Sequence, residues 1–155
     1  MPYPTLESRA DVLKMLDELT EKRQAILNRC ARLTAAQLND PVYPGTWSLF
    51  KNLAHLAWAE AWMLAWIKKR PDVLPKEERP PEPPADLAAL RTAFDEAHAE
   101  AIAFVKGNPE GVLRERCQYS RQGEQTVGGV FFHLIEHELH HRAFIHHKLE
   151  KLGRA

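Results

Sequence analysis

Six of the eight histidines in this 155-residue chain fall between His133 and His147, and their spacing suits one metal ion. His137 and His141 stand four residues apart. At ~100° per residue of α-helix they differ by only ~40° and share a face, which lets two imidazoles chelate a single ion. Val130, Leu134 and Ile145 belong to the same sector, so the pair sits on an apolar stripe. His133 and His140 fall on its edge, while His146 and His147 turn away and are expected to be bystanders. Far upstream, His55 shares a helical face with Ala59, Trp62, Met63 and Trp66. An imidazole in such a stripe needs a polar partner once buried. Taken alone, it reads as a core histidine hydrogen-bonded to another side chain. Set against an inward-facing pair on a second helix, it reads as a third ligand. Three neutral imidazoles suit zinc or nickel and leave coordination positions open for water or substrate.

Glu138 lies next to the pair, at ~100° from His137 on the same helix. It is a candidate to orient a ligand histidine or to act as catalytic base. The run His137-Glu138-Leu139-His140-His141 also matches H-E-x-x-H literally. A protease of that type needs a third ligand downstream, and His146, His147 and Glu150 lie on the same continuous helix, which cannot wrap back onto the site. The other conspicuous residues have simpler readings. Trp58, Trp62 and Trp66 are expected as core and pocket wall. Arg142 reads as a surface ion-pairing residue, Glu60 as solvated or interfacial, and Lys68-Lys69-Arg70 as a charge run at a helix C-terminus. Cys30 and Cys117 lack C-x-x-C spacing and are expected as reduced thiols.

Four helical segments must carry these residues. Leu6 to Leu33 repeats apolar residues at helical steps (Val12, Met15, Leu16, Leu19, Ile26). After Thr34, a loop holds Asn39-Asp40-Pro41 and Pro44-Gly45, and Thr46 or Ser48 caps a second helix running to about Lys69. Six prolines between Pro71 and Pro84 exclude helix there. The joint could reach ~45 Å, enough to cross a bundle from end to end. A third, alanine-rich helix runs from Ala85 or Asp86 to Lys106 and stops at Gly107-Asn108-Pro109. Cys117 to Gln125 has the makings of a small hairpin, and the last helix runs from about Thr126 to Leu152 with Gly153 behind it. The expectation is an all-α protein, a four-helix bundle forming one domain over 1–155, with wiring left open by the long joints.

Composition narrows the function classes. Lys+Arg and Asp+Glu both number 21, for a formal net charge of zero. No basic stripe marks a nucleic-acid reader. The longest apolar run, Leu53 to Ile67, is interrupted by His55 and Glu60 and is too short to span a bilayer. Met1 to Glu7 shows no basic start followed by an apolar run, so a cytoplasmic protein with no membrane partner is expected.

Two segments carry a family resemblance. Gly45-Thr46-Trp47-Ser48 followed by Leu53-Ala54-His55-Leu56 and Glu60 resembles the second-helix motif of the DinB/YfiT-like family. The stretch from His133 to Arg142 resembles its final-helix motif, His-x-x-x-His-Arg-Gly-Gln. Order and separation match as well, so the resemblance spans nearly the whole chain. It implies a four-helix bundle, often a homodimer, with a metal site at His55, His137 and His141. Relatives include S-transferases and isomerases that use low-molecular-weight bacterial thiols. The family's Gly-Gln is Ala143-Phe144 here, and Phe144, at about −20° from His137, is expected beside the metal stripe. The leading expectation is a metal-dependent thiol transferase or hydrolase acting on a small molecule. The rivals are a non-catalytic metal-stabilised binding or stress protein and a plain helical interaction protein.

Overall fold

The computed structural model describes residues 2–68 and 82–153. Helix α1 (Arg9–Cys30) opens where the Ser8 hydroxyl accepts from the Asp11 amide at 3.2 Å. This cap starts the helix three residues after Leu6, the expected first residue. The joint after it contains a short helix, α2 (Ala35–Asn39), that the apolar pattern does not announce. A capping box closes it, with Thr34 and Gln37 satisfying one another's backbone amides. Ser48, not Thr46, caps α3 (Leu49–Ile67), and Lys68 ends it. The remainder of the expected second helix and most of the proline-rich joint, residues 69–81, lie outside the described residues. The Asp86 carboxylate caps α4 (Leu87–Gly107), accepting from Ala89 at 2.8 Å.

The expected hairpin is present. β1 (Arg116–Gln118) pairs antiparallel with β2 (Glu124–Thr126) across a tight turn through Gly123, whose φ of +81° favours a residue without Cβ. Thr126 then caps α5 (Val127–Leu152).

The four long helices form the bundle, and two apolar clusters divide its length. One gathers Val12, Leu16, Met63, Ile67, Val105, Val130 and Phe131. The other gathers Ile26, Cys30, Leu49, Leu53, Leu90, Phe94, Ile145 and Leu149. Since α3 and α4 both begin in the second cluster and end in the first, they run parallel. Helices α1 and α5 run the opposite way. Each helix packs mainly on two others, with α1 and α3 on one diagonal and α4 and α5 on the other. Up-down-up-down wiring is thereby excluded. Among the described residues, no helix is long and apolar enough to cross a membrane.

Candidate metal centre

Because α3 and α5 are antiparallel neighbours, His55 faces the second helix's histidines across the groove between them. Nε2 of His55 lies 3.1 Å from Nε2 of His137. One nitrogen from each of His55, His137 and His141 lies within 4.8 Å of the others. These are the three residues expected from the sequence, and the fold brings them together. His133, one turn before His137, is adjacent to it with ring centroids 5.8 Å apart. His140, His146 and His147 are exposed. The His147 ring instead stacks on Tyr43 and shares a hydrogen bond with its hydroxyl at 2.8 Å.

The donor set fits a divalent ion. Burial, aided by neighbouring His141, pushes the His55 imidazole down to about 4. Burial and the surrounding histidines push His137 down to about 3. Burial followed by His140 lowers His141 as well. All three rings are therefore neutral at pH 7 with a lone pair to give. The 3.1 Å between two Nε2 atoms approaches the ~3.3 Å edge of a tetrahedron with metal–nitrogen bonds of about 2.0–2.1 Å. Nδ1 of His55, the ring's other nitrogen, is buried without a hydrogen-bond partner among the described residues.

Two residues that the spacing arguments did not single out complete the centre. Asn52, one turn after the Ser48 cap and one turn before His55 on α3, donates its amide to the Ser48 carbonyl at 2.9 Å, which turns its Oδ1 toward His141. That oxygen accepts from His141 Nδ1 at 3.2 Å, which fixes the proton there and leaves Nε2 bare. Trp47 stacks on His141 and meets His55 edge-on, with ring centroids 6.1 and 5.1 Å away. Its loop is held by Lys148, whose buried ammonium donates to the Thr46 hydroxyl at 2.9 Å and to the Pro41 carbonyl.

Beneath the groove lies a buried ionic cluster. Arg23 of α1 donates through Nε to both oxygens of Glu138, at 3.0 and 2.9 Å, and pairs with Glu60 of α3 at 2.6 Å. His98 of α4 places Nδ1 2.8 Å from Glu60 and donates through Nε2 to the Leu16 carbonyl at 2.8 Å. Burial pushes the Glu60 carboxyl upward, but His98 and Arg23 outweigh it and hold the group below its usual range. Glu60 is only 1% exposed, which overturns the solvated alternative of its reading and leaves the interfacial one. Helix α3 is covered on two sides, by α5 and by α4, so a position off the tryptophan stripe is still interior. Glu138 is buried too, and its carboxylate meets Arg23 and, at 3.3 Å, Arg142. Arg142 does pair, but its side chain is mostly covered and not on the surface.

Phe144 is the other correction. It is 54% exposed and touches His140 edge-on. The buried residues of α5, Val130, Leu134, Glu138, Ile145 and Leu149 among them, centre about 70° round the helix from His137. His137 therefore lies at the margin of the stripe, His141 nearer its middle, and Phe144 falls just beyond the edge. That margin is what opens the centre to solvent.

The DinB superfamily model matches residues 7–145, which takes in all of α3 and α5 as far as Ile145. The chain belongs to the DinB superfamily. Solved structures agree on the fold. A DinB-like protein from Bacillus cereus ATCC 10987 superimposes with a TM-score of 0.70 at 16% identity, covering 90% of this chain and 91% of its own. TT2238, a four-helix bundle protein, gives 0.63 at 19% identity, covering 96% of this chain and all of its own. No curated protein matches the sequence. The family resemblance read from the two motifs thus holds, and in this DinB chain three histidines of the two motifs converge.

Proposed function

We propose that the protein is a divalent-metal-dependent enzyme of the thiol-transferase kind, with His55, His137 and His141 as ligands of zinc or nickel. The convergence of three neutral imidazoles across α3 and α5 carries this reading. When bound, the ion would supply a positive, open coordination position that lowers the pKa of a thiol or water there. The chain's own residues do the rest. Asn52 holds the His141 tautomer, and Trp47 and Trp58 cover His55 with apolar surface. Such a flank makes one side of the ion apolar and favours a soft sulfur nucleophile over hydroxide. Glu138, held by Arg23 and Arg142, fits a supporting role behind His137 better than that of a mobile base. The co-substrate in this reading is a low-molecular-weight thiol, and the protein acts as a cytoplasmic homodimer.

A non-catalytic metal-binding role is the second reading. The observation in its favour is that Glu60 and Glu138, the carboxylates of the buried cluster beneath the groove, are committed to ion pairs. Cobalt-substituted protein titrated with thiols separates the two. A sulfur-to-cobalt charge-transfer band, lost in His55→Ala, is the expected result. No spectral change with any thiol at millimolar concentration would favour the second reading.

A further inference from the structure

The loop between α2 and α3 is tied to the far end of the helix that carries two of the ligands. Lys148 of α5 is buried and donates its ammonium to the Pro41 carbonyl and, at 2.9 Å, to the Thr46 hydroxyl. Its Nζ also lies 5.6 Å from the centre of the Tyr43 ring, within reach of the π face. The Thr46 hydroxyl turns its own hydrogen toward the loop carbonyls, Pro41 at 2.8 Å and Tyr43 at 2.9 Å. Burying an ammonium is unfavourable unless its hydrogens find acceptors, so Lys148 and the loop fix one another.

The backbone explains why the loop requires such an attachment. Val42 sits at φ +67°, a region that β-branched residues rarely enter and occupy only where the surroundings allow no alternative. The Asp40 carboxylate accepts from the Val42 amide at 2.7 Å and supplies a local constraint. The attachments through Lys148 and through the Tyr43–His147 pair come from α5.

What the loop carries is Trp47. Its ring lies nearly parallel to His141, at 17°, and meets His55 at 64°, so it touches ligands on both helices. On α5, Lys148 follows His141 by seven residues, about 20° apart around the axis and about 10.5 Å along it. The unbroken helix fixes that distance. Where Lys148 holds Thr46 therefore sets where the next residue, Trp47, meets His141. Asn52 restrains the His141 ring through Nδ1, and the indole restrains it from the face.

Resting on the triad as metal ligands, we propose that Lys148 is a positioning residue of the metal centre, acting through Thr46 and Trp47 to keep the His141 and His55 rings in their ion-binding orientation. It raises affinity for the ion without touching it. Such coupling is reciprocal, so a bound ion holds the loop closed by the same factor.

The test is a double-mutant cycle on zinc affinity, measured by competition with a chelator. Lys148→Met and Trp47→Leu should each weaken zinc binding by about fivefold or more. The double variant should be no weaker than Trp47→Leu alone, an outcome that general loosening of the fold would not give. Unchanged affinity in Lys148→Met, or losses that multiply in the double variant, would overturn the proposal. A second readout uses metal-free protein. Trp47 is the exposed tryptophan of the four, and Lys148→Met should make the fluorescence more open to acrylamide quenching, with no such increase in the Trp47→Leu background. An unchanged quenching constant counts against the proposal. If His55→Ala binds zinc as tightly as wild type, the triad reading fails by itself, and quenching alone decides whether Lys148 positions Trp47. If Lys148→Met does not fold by circular dichroism, Thr46→Val, which removes the accepting hydroxyl and keeps the shape, takes its place in both measurements.

Discussion

Asn52 decides which nitrogen of His141 is free. Its oxygen accepts from Nδ1, so replacing it with Ala releases the tautomer, and metal affinity should fall by about 10- to 100-fold in a competition titration with a chelator. His55→Ala should have the larger effect, since His55 alone brings α3 into the triad. Purified protein should drop from about one ion per chain to near none by elemental analysis. His146→Gln with His147→Gln should leave metal content intact, because both side chains are exposed. Protons compete at the same atoms. The His55 and His137 pKa values are depressed from 6.5 to about 4 and about 3, so the unfolded chain binds more protons between those limits. Metal-free protein should therefore lose stability as pH falls from 6.5 toward 3. Melting temperatures across that range would show it, and the slope should flatten in the His55→Ala variant. His137 and His141 were legible in the sequence because i, i+4 spacing is a geometric statement about any helix. Asn52 was not, because a hydrogen bond across a groove leaves no periodic trace, and Trp47 was legible only through the family motif that contains it. The burial of Glu60 and the exposure of Phe144 were not legible either: an angle on one helix gives neither the neighbours that cover it nor the centre of its buried face.

Between elements, Arg23 is the tie. It joins α1 to Glu60 on α3 and Glu138 on α5, the two helices that carry the ligands, and so holds the width of the groove. Arg23→Met would strand two buried carboxylates, with an expected loss of about 3–5 kcal/mol in chemical denaturation. Combining it with Glu60→Gln and Glu138→Gln should recover part of that loss, an outcome that simple loss of packing would not produce. Gly128 marks a second close approach. A Cβ there would lie 2.0 Å from the Leu6 carbonyl oxygen and 3.0 Å from that of Leu113. Both obstacles are backbone, so Gly128→Ala should destabilise by about 1–3 kcal/mol. The long helices were legible from their apolar steps and caps. The short α2 was not, because five residues are too few to show a period.

At the scale of the whole molecule, the parallel course of α3 and α4 could not be read from the chain, since a long joint permits either direction. Only the sorting of Leu49 and Leu90 into one cluster and Ile67 and Val105 into the other decides it. An ion that binds the folded chain alone should raise the melting temperature. At a thousandfold excess over Kd the gain is about 4.1 kcal/mol, and it should vanish in His55→Ala. Light scattering at micromolar concentration tests the dimer, for which twice the chain mass of 17.8 kDa is expected. The span of the triad also has a consequence during synthesis. His55 and His137 are 82 residues apart, so at about 5–20 residues per second the first ligand is made roughly 4–16 s before the second. A nascent chain holds a single histidine of the triad throughout that interval and cannot discriminate between metals. Selection of the ion is therefore postponed until the final helix docks, and the metal pool that matters is the one met by the finished protein.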